Sequence, residues 1–558
     1  VRPVKQLVFY IDSLMPVKWN PYIKAGAESW NKAFEKIGFK DVICVKEFPK
    51  NDTLFNANSF DCMTIRYSAS WLNSAQTTIH SDTRTGEILN ASILINANMI
   101  SVQYADRIGA TVAIDPRVRT TVFPQEIQGE LIQAAIAQAV GTGLGLTMNW
   151  GASCAYPVDS LRSASFTQKY GLASSVMGGV IINDVATEED VRNGVCLVNT
   201  KPGPYDELVI KYLYQPIYAS SLQEEKETLD SWIREHTGDP YYAYIRNQSR
   251  FDSDPRNSRG SLGDDHLKSF DYMLPNVRKG FENYYSWFAK EDRDFLMRRR
   301  VHSALSERLS GRIYAILSYI GGIYLNDIRE KDAIPSYSMV DREKQKAALS
   351  KALELAKNLD WVDDTAHLNE FEISDKKADR LRLDIFNGIF GRLPYVEVCT
   401  ERFPDAAYTA SEYLDDIYGI VWEGVLKHRP LENFERALQT AFLESIISTS
   451  TATAPIGSFK ASKTGFAATG KPEINLAALR NGGKVDMKMY SLQNAEEVAG
   501  FSSIPPIYTN QTKIAAYYFD LLMRTKDMLK KAISTAPEAD RSHYDLLIYR
   551  INKATEIE

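Results

Sequence analysis

A zinc-binding spacing without zinc-binding side chains occupies residues 138–149, which read Gln-Ala-Val-Gly-Thr-Gly-Leu-Gly-Leu-Thr-Met-Asn. In a zinc-binding helix, imidazoles at i and i+4 project from one face, and a glycine lets the chain turn so that a third imidazole completes the site. The three imidazole positions fall here on Gln138, Thr142 and Met148, and the position of the general-base glutamate falls on Ala139.

These side chains do not supply zinc chemistry. An amide, a hydroxyl and a thioether are much weaker zinc ligands than three imidazoles. Ala139 cannot take a proton from a metal-bound water. We therefore predict no zinc at Gln138, Thr142 and Met148, no other cofactor and no catalytic residue in this stretch, although Gly145 keeps the position of the turn.

Other residue types do not form an evident replacement site. None of the seven histidines lies between residues 81 and 235, and Cys154 and Cys196 form no tight ligand motif. Ser153 and Cys154 are candidate nucleophiles just after the helix, but no histidine is near them in sequence to act as a base. A distant histidine that approaches in space would keep this alternative open.

The same stretch also fits an ordinary buried helix. Ile127, Leu131 and Ala135 form one apolar stripe, and the glycines of residues 141–143 are typical of a helix end. Taken alone, the spacing would favour this interpretation.

Other segments of the chain, each similar to a segment of one known protein family, favour the interpretation as an altered zinc-binding helix. In order, they are Val8–Asp12, Pro21–Phe39, Ile65–Tyr67, Thr83–Leu89, Asn149–Ser153, Pro157–Arg162, Ser174–Met177, Asp254–Arg256 and Leu262–Asp265. Over about residues 1–330 the chain resembles the bacterial Met-zincin family of zinc-dependent metalloproteases. The departures cluster at the metal site, where Gly178 and Gly179 also replace the family's Asp-Tyr.

The resemblance implies an α+β fold. A zincin-like (metzincin) domain with a mixed twisted sheet and an active-site-type helix would be followed by a large, mainly α-helical region. Met177 would be the Met-turn methionine that floors the zinc site. In some metzincins a tyrosine two places later reaches the zinc, and Gly179 lacks that side chain. The resemblance also implies a location in the periplasm or at the outer surface.

Composition excludes several functional classes. Net charge is −6, which gives no general affinity for nucleic acid. Five widely spaced cysteines do not form a disulfide scaffold, and no apolar run approaches the length of a membrane span. Because the chain begins at Val1, we expect a mature or trimmed product.

Periodicity divides the chain into four parts. Residues 1–204 are expected to form the zincin-like domain, with strands at Lys5–Asp12, Asp41–Lys46, Met63–Tyr67 and Ile88–Ala97 and a helix at Trp19–Ile37. Residues 205–447 are mainly helical, 448–471 form a linker or loop, and 472–558 form a C-terminal helical segment. Predicted later helices are Ala304–Leu325, Arg342–Leu359, Leu431–Ile447, Thr512–Ile533 and Asp540–Lys553.

Two further sites are considered from the sequence. In the zincin fold that the resemblance implies, the strand before the site helix is a sheet edge to which peptide substrates add, and Ser92, Leu94, Asn96 and Asn98 are the candidates here. The alternative is an ordinary edge strand blunted by its asparagines. Asp252, Asp254, Asp264 and Asp265 have side chains suited to calcium, although capping helices and pairing with Arg256 and Arg259 is the favoured interpretation.

Selective loss at the metal site predicts an inactive metalloprotease homologue, a pseudoprotease that binds a peptide or protein in a retained cleft. One alternative is an active hydrolase that uses a site of another kind. The other is a structural or assembly subunit whose cleft is filled. An open or a filled cleft would separate the last alternative from the first.

Overall fold

A five-stranded mixed sheet forms the amino-terminal part of the protein. Its strands are β1 (Leu7–Ile11), β2 (Ile43–Glu47), β3 (Met63–Ser68), β4 (Ala75–Ser81) and β5 (Ile88–Asn96). The strand order is β2-β1-β3-β5-β4, and β4 runs antiparallel to β5 whereas the other neighbours are parallel. Phe9, Ile65 and Ile93 are buried in the three central strands, as expected for strands covered on both faces. The predicted α+β class is confirmed.

The computed structural model describes residues 1–49, 51–52, 54–72, 75–245, 253–257, 261–326, 328, 332–363, 367, 377–449 and 511–555. The chain divides into two units, the first built mainly from residues 1–445 and the second including residues 511–555.

Strand β4 was not predicted, and its presence corrects the predicted sheet edge. In β5, Ile93 lies between Ile65 of β3 and Thr77 of β4, so β5 is an interior strand. The prediction that Ser92–Asn98 is an edge is therefore wrong. Asn98 is not on the strand at all, because β5 ends at Asn96 and a helix begins at Ala97. Among the described residues, the edge strands of the sheet are β2 and β4, and β4 is the one that pairs with β5.

Four helices cover the sheet: α1 (Asn20–Glu28), α2 (Asn31–Lys36), α3 (Ala97–Thr111) and α4 (Gln125–Gly143). Helices α1 and α2 correspond to the single predicted helix Trp19–Ile37, which is interrupted at Ser29 and Trp30. The buried Trp30 indole donates a hydrogen bond to the carbonyl oxygen of Ala137, 2.8 Å away. Helix α1 crosses α4 closely, because a Cβ on Gly26 would lie only 2.6 Å from the Gln133 carbonyl oxygen. These contacts hold α1 and Trp30 against α4.

Helices dominate the rest of the first unit. They are α5 (Ala164–Tyr170), α6 (Glu188–Arg192), α7 (Pro204–Tyr214), α8 (Leu222–Arg234), α9 (His266–Phe288), α10 (Leu296–Leu317), α11 (Arg342–Lys357), α12 (Lys377–Gly391), α13 (Leu393–Arg402), α14 (Ala410–Val421), α15 (Glu423–Leu426) and α16 (Asn433–Thr449). The predicted helix Ala304–Leu325 ends early at Leu317 and is followed by a two-stranded sheet of β6 (Ile323–Leu325) and β7 (Tyr337–Met339). Gly321 lies between α10 and β6 and has φ 60°, and a Cβ there would clash with the backbone of Val396.

Helix α10 packs on the amino-terminal part. Gly109 of α3 approaches α10 so closely that a Cβ would lie 2.5 Å from the Ala304 carbonyl oxygen. The predicted division at residues 204/205 thus lies inside the first unit.

The second unit contains the helices α17 (Gln511–Ala532) and α18 (Glu538–Thr555), close to their predicted bounds. The predicted linker 448–471 lies outside the described residues beyond Thr449, as does the predicted segment from 472 to 510.

Candidate functional site

The end of helix α4 brings the three predicted ligand positions together. The helix ends at Gly143, and Gly145 takes φ 92°, which favours glycine. The Leu146 amide donates back to the Gly141 carbonyl oxygen at 3.0 Å, so the chain reverses direction. The Gln138 Nε2 then donates to the Met148 Sδ at 3.1 Å. We call Gln138, Thr142 and Met148 the ligand frame.

The ligand frame does not fit zinc. Thr142 lies one turn after Gln138, and its hydroxyl donates to the Gln138 carbonyl oxygen at 3.4 Å. The amide of Gln138 and the thioether of Met148 are engaged with each other. Ala139 is buried and has no group that could act as a base. Within the described residues, no group of three or more His, Cys, Asp or Glu side chains is placed to hold a metal ion. The absence of zinc itself stays a prediction.

Met177 lies directly beneath the ligand frame. It is fully buried in a short turn, Val176–Gly178, and a Cβ on Gly141 would be 2.6 Å from its Sδ. The Asn149 amide donates to the Met177 carbonyl oxygen at 3.1 Å, which joins this turn to the loop that carries Met148. Gly141 is therefore the helix position that makes room for the methionine. Gly179, two residues after Met177, has φ 94° and lacks any side chain that could reach the frame.

Asp206 holds the Met177 turn, and sequence analysis missed it. Its carboxylate is fully buried at the start of α7 and accepts hydrogen bonds from Ser175 Oγ at 2.5 Å and from the Val176 and Gly203 amides at 2.9 Å each. Burial raises the pKa of Asp206 to about 7, against the opposing effect of these donors. The sequence signal was a helix start, because Gly203 and Pro204 precede an acidic residue in the first turn.

A later segment packs along the loop that carries Met148. The Asn149 side chain donates to the Ala243 carbonyl oxygen at 2.9 Å and accepts from the Ile245 amide at 3.1 Å. The Thr147 and Tyr244 hydroxyls lie 3.2 Å apart. This segment follows α8 in the chain, so its place beside the frame was not evident from the sequence.

Strand β4 also contacts helix α4 near the ligand frame. The Thr77 hydroxyl donates to the Ala139 carbonyl oxygen at 3.0 Å. β5 pairs with one side of β4, and no strand among the described residues pairs with the other.

The predicted edge residues have other positions. The Ser92 hydroxyl donates to Asn90, Leu94 pairs with Arg66 and Gln76 in the sheet, and Asn96 is buried at the start of α3. The Asn98 amide donates to the Trp71 carbonyl oxygen.

The candidate nucleophiles are buried away from a base. Ser153 and Cys154 lie 3.2 and 3.1 Å from the hydroxyl of Ser261, and the Cys154 thiol also contacts the Arg256 carbonyl oxygen. Burial raises the pKa of the Cys154 thiol, which opposes formation of a thiolate. None of these contacts between described residues involves an imidazole, and they give the hydrolase alternative no support.

The aspartates considered for calcium have protein partners. Asp254 binds the Arg256 guanidinium and accepts from the Leu325 amide. Asp264 accepts from the Val158 amide, and Asp265 caps α9 and pairs with Lys344. The interpretation as caps and ion pairs is confirmed for Asp254 and Asp265, whereas Asp264 instead accepts a backbone hydrogen bond. Asp252 and Arg259 lie outside the described residues.

Comparison with known proteins agrees with this geometry. A family model described as Met-zincin matches residues 120–429, which include α4, the ligand frame and Met177. No curated protein and no solved structure matches the chain. Among the described residues, no helix is both long and apolar enough to cross a membrane. The family match covers more than half of the chain, and the protein therefore belongs to the Met-zincin family.

Proposed function

We propose that this protein is a catalytically inactive Met-zincin that binds an extended peptide beside helix α4, in the periplasm or at the outer surface of a bacterium. The observation that carries the loss of activity is the hydrogen bond from Gln138 to Met148, at two positions that would both have to bind the metal. An intact backbone frame with all of its metal chemistry replaced is consistent with a fold retained for another use.

The free side of β4 supports peptide binding. Strand β4 reads Ala-Gln-Thr-Thr-Ile-His-Ser and contains no lysine, proline or acidic residue, which are the usual means of blocking an exposed edge. An added strand would receive main-chain hydrogen bonds there, with α4 and the ligand frame close by. The earlier candidate strand β5 has no free side for this purpose.

Protease and peptide-binding assays on the full chain test the proposal. We expect no hydrolysis of casein or of fluorogenic peptides, and measurable binding of selected eight-residue peptides by calorimetry. Methylation of alternate peptide amides should abolish binding because it removes the donors that a strand needs. Methylation of the opposite set of amides is the matched control.

Two outcomes would favour the alternatives. Hydrolysis that disappears in Cys154→Ser or Ser153→Ala would identify an active hydrolase. Failure of every peptide to bind, in a folded protein, would favour the structural subunit.

A further inference from the structure

The four segments that meet around the ligand frame contain no charged side chains. Residues 67–81, 131–158, 170–183 and 240–245 contain no Asp, Glu, Lys or Arg, although these types make up 24% of the chain. The segments are far apart in sequence, so a single neutral helix or loop does not explain the pattern.

Contacts bring the four segments to the same place. Thr77 of the first bonds to Ala139 of the second. Within the second, Gln138 and Met148 are in contact, and Asn149 bonds to Met177 of the third. Thr147 contacts Tyr244 of the fourth at 3.2 Å.

Several charged groups near these segments have partners. On α7, Asp206 is buried under the Met177 turn, and Glu207 pairs with Lys36. The Lys211 ammonium lies over the Trp232 ring at 4.5 Å. Asp82 follows β4 and pairs with Arg84. The polar groups that line the site are amides and hydroxyls, such as those of Gln138 and Thr142.

A charged ligand side chain entering this region would lose water without gaining a counter-charge, and that loss is costly. Amide and hydroxyl side chains can form neutral hydrogen bonds there instead. We propose that the site selects peptide segments whose central side chains are uncharged, of the Ala, Ser, Thr and Asn type. This inference rests on the proposed peptide binding and adds the class of ligand.

Random eight-residue peptides displayed on phage and selected on the full chain provide the probe. Selected peptides should be depleted of Asp, Glu, Lys and Arg at their central positions. In a selected peptide, replacing the central residue by Lys or by Glu should each weaken binding about tenfold or more. Binding of the neutral peptide should change little between low and high salt, because no ion pair contributes.

A charge placed in the frame should alter the preference. In Gln138→Glu, the Lys-bearing peptide should regain affinity relative to the Glu-bearing one, and Gln138→Lys should show the reverse. Gln125→Glu makes the same change at an exposed position on α4 and should leave the preference unaltered.

Equal binding of neutral and charged peptides would overturn this inference while leaving peptide binding intact. Enrichment of charged peptides would also overturn it. Failure of all peptides to bind would overturn the proposed function together with the inference.

Discussion

Two regions of the molecule differ in their charged residues: the segments around the ligand frame are neutral, whereas the contact between Asp184 and α10 contains buried ion pairs. Around the frame, the lining segments have no charged side chains. Beyond the Met177 turn, the buried Asp184 carboxylate binds two arginines of α10, with Arg308 Nε at 2.6 Å and Arg312 Nε at 2.9 Å. At this contact, the buried carboxylate is therefore matched by partners of opposite charge. The comparison shows that the segments lining the frame are neutral, whereas the contact with α10 is built on buried ion pairs.

Removing the Asp184 carboxylate from the contact with α10 should have the largest effect on the free energy of unfolding. Burial alone would raise the pKa of Asp184, but the charges and hydrogen bonds of Arg308 and Arg312 hold it below its usual range. Asp184→Asn leaves two cations without that partner and should lower the free energy of unfolding by about 3–5 kcal/mol, measured in urea. Asp159→Asn, at an exposed pair with Lys268, is the matched control and should have a much smaller effect. A similar loss in both variants would show that burial does not matter here.

Filling the space between α4 and Met177 should cost less. In Gly141→Ala, the new Cβ would lie 2.5 Å from the Trp30 ring and 2.6 Å from the Met177 Sδ. We expect a loss of about 1–3 kcal/mol in the free energy of unfolding, because this part of the core must shift. Gly419→Ala, on α14 with nothing within 4 Å, should instead be neutral or slightly stabilising. Equal effects at both glycines would contradict the close contact with Met177.

Asp206 should give a smaller effect that depends on pH. Its pKa of about 7 in the folded protein lies above the ordinary value of 3.8, so the folded state holds the proton more tightly. Its contribution to stability is fully present below pH 4 and is lost as the pH rises towards 7. The difference in free energy of unfolding between the protein and Asp206→Asn should therefore fall over this window. The buried His266, whose pKa burial lowers to about 4, has the opposite dependence in both proteins and cancels from the difference. A difference that grows with pH would contradict the raised pKa.

The frame could be predicted from the sequence because its information is local. Gln138, Thr142, Gly145 and Met148 are fixed by the period of one helix and a single glycine turn. Met177 was identified through a family pattern, and in the structure it lies next to Gly141 of that helix.

The sheet edge and the support of the Met177 turn depend on distant partners. In β4 only Ile79 is a large apolar residue, so alternation is absent, and its strand geometry comes from pairing with β5. Missing β4 led directly to the wrong edge. Asp206 lies about 30 residues from Ser175 and Val176, and only the folded chain brings them together. The break at Ser29 and Trp30 likewise reflects the contact of Trp30 with α4.

Zinc binding by a restored frame tests the account most directly. The variant Gln138→His, Ala139→Glu, Thr142→His and Met148→His should bind one zinc ion per chain by calorimetry and elemental analysis, whereas the unaltered protein and Gln125→His should bind none. Proteolysis by the restored variant is not required, because activity also depends on partners that orient the imidazoles, whereas the test concerns zinc binding alone. A folded restored variant without affinity for zinc would contradict the retained frame. Stoichiometric zinc in the unaltered protein, lost in Gln138→Ala, would contradict the loss of the metal site.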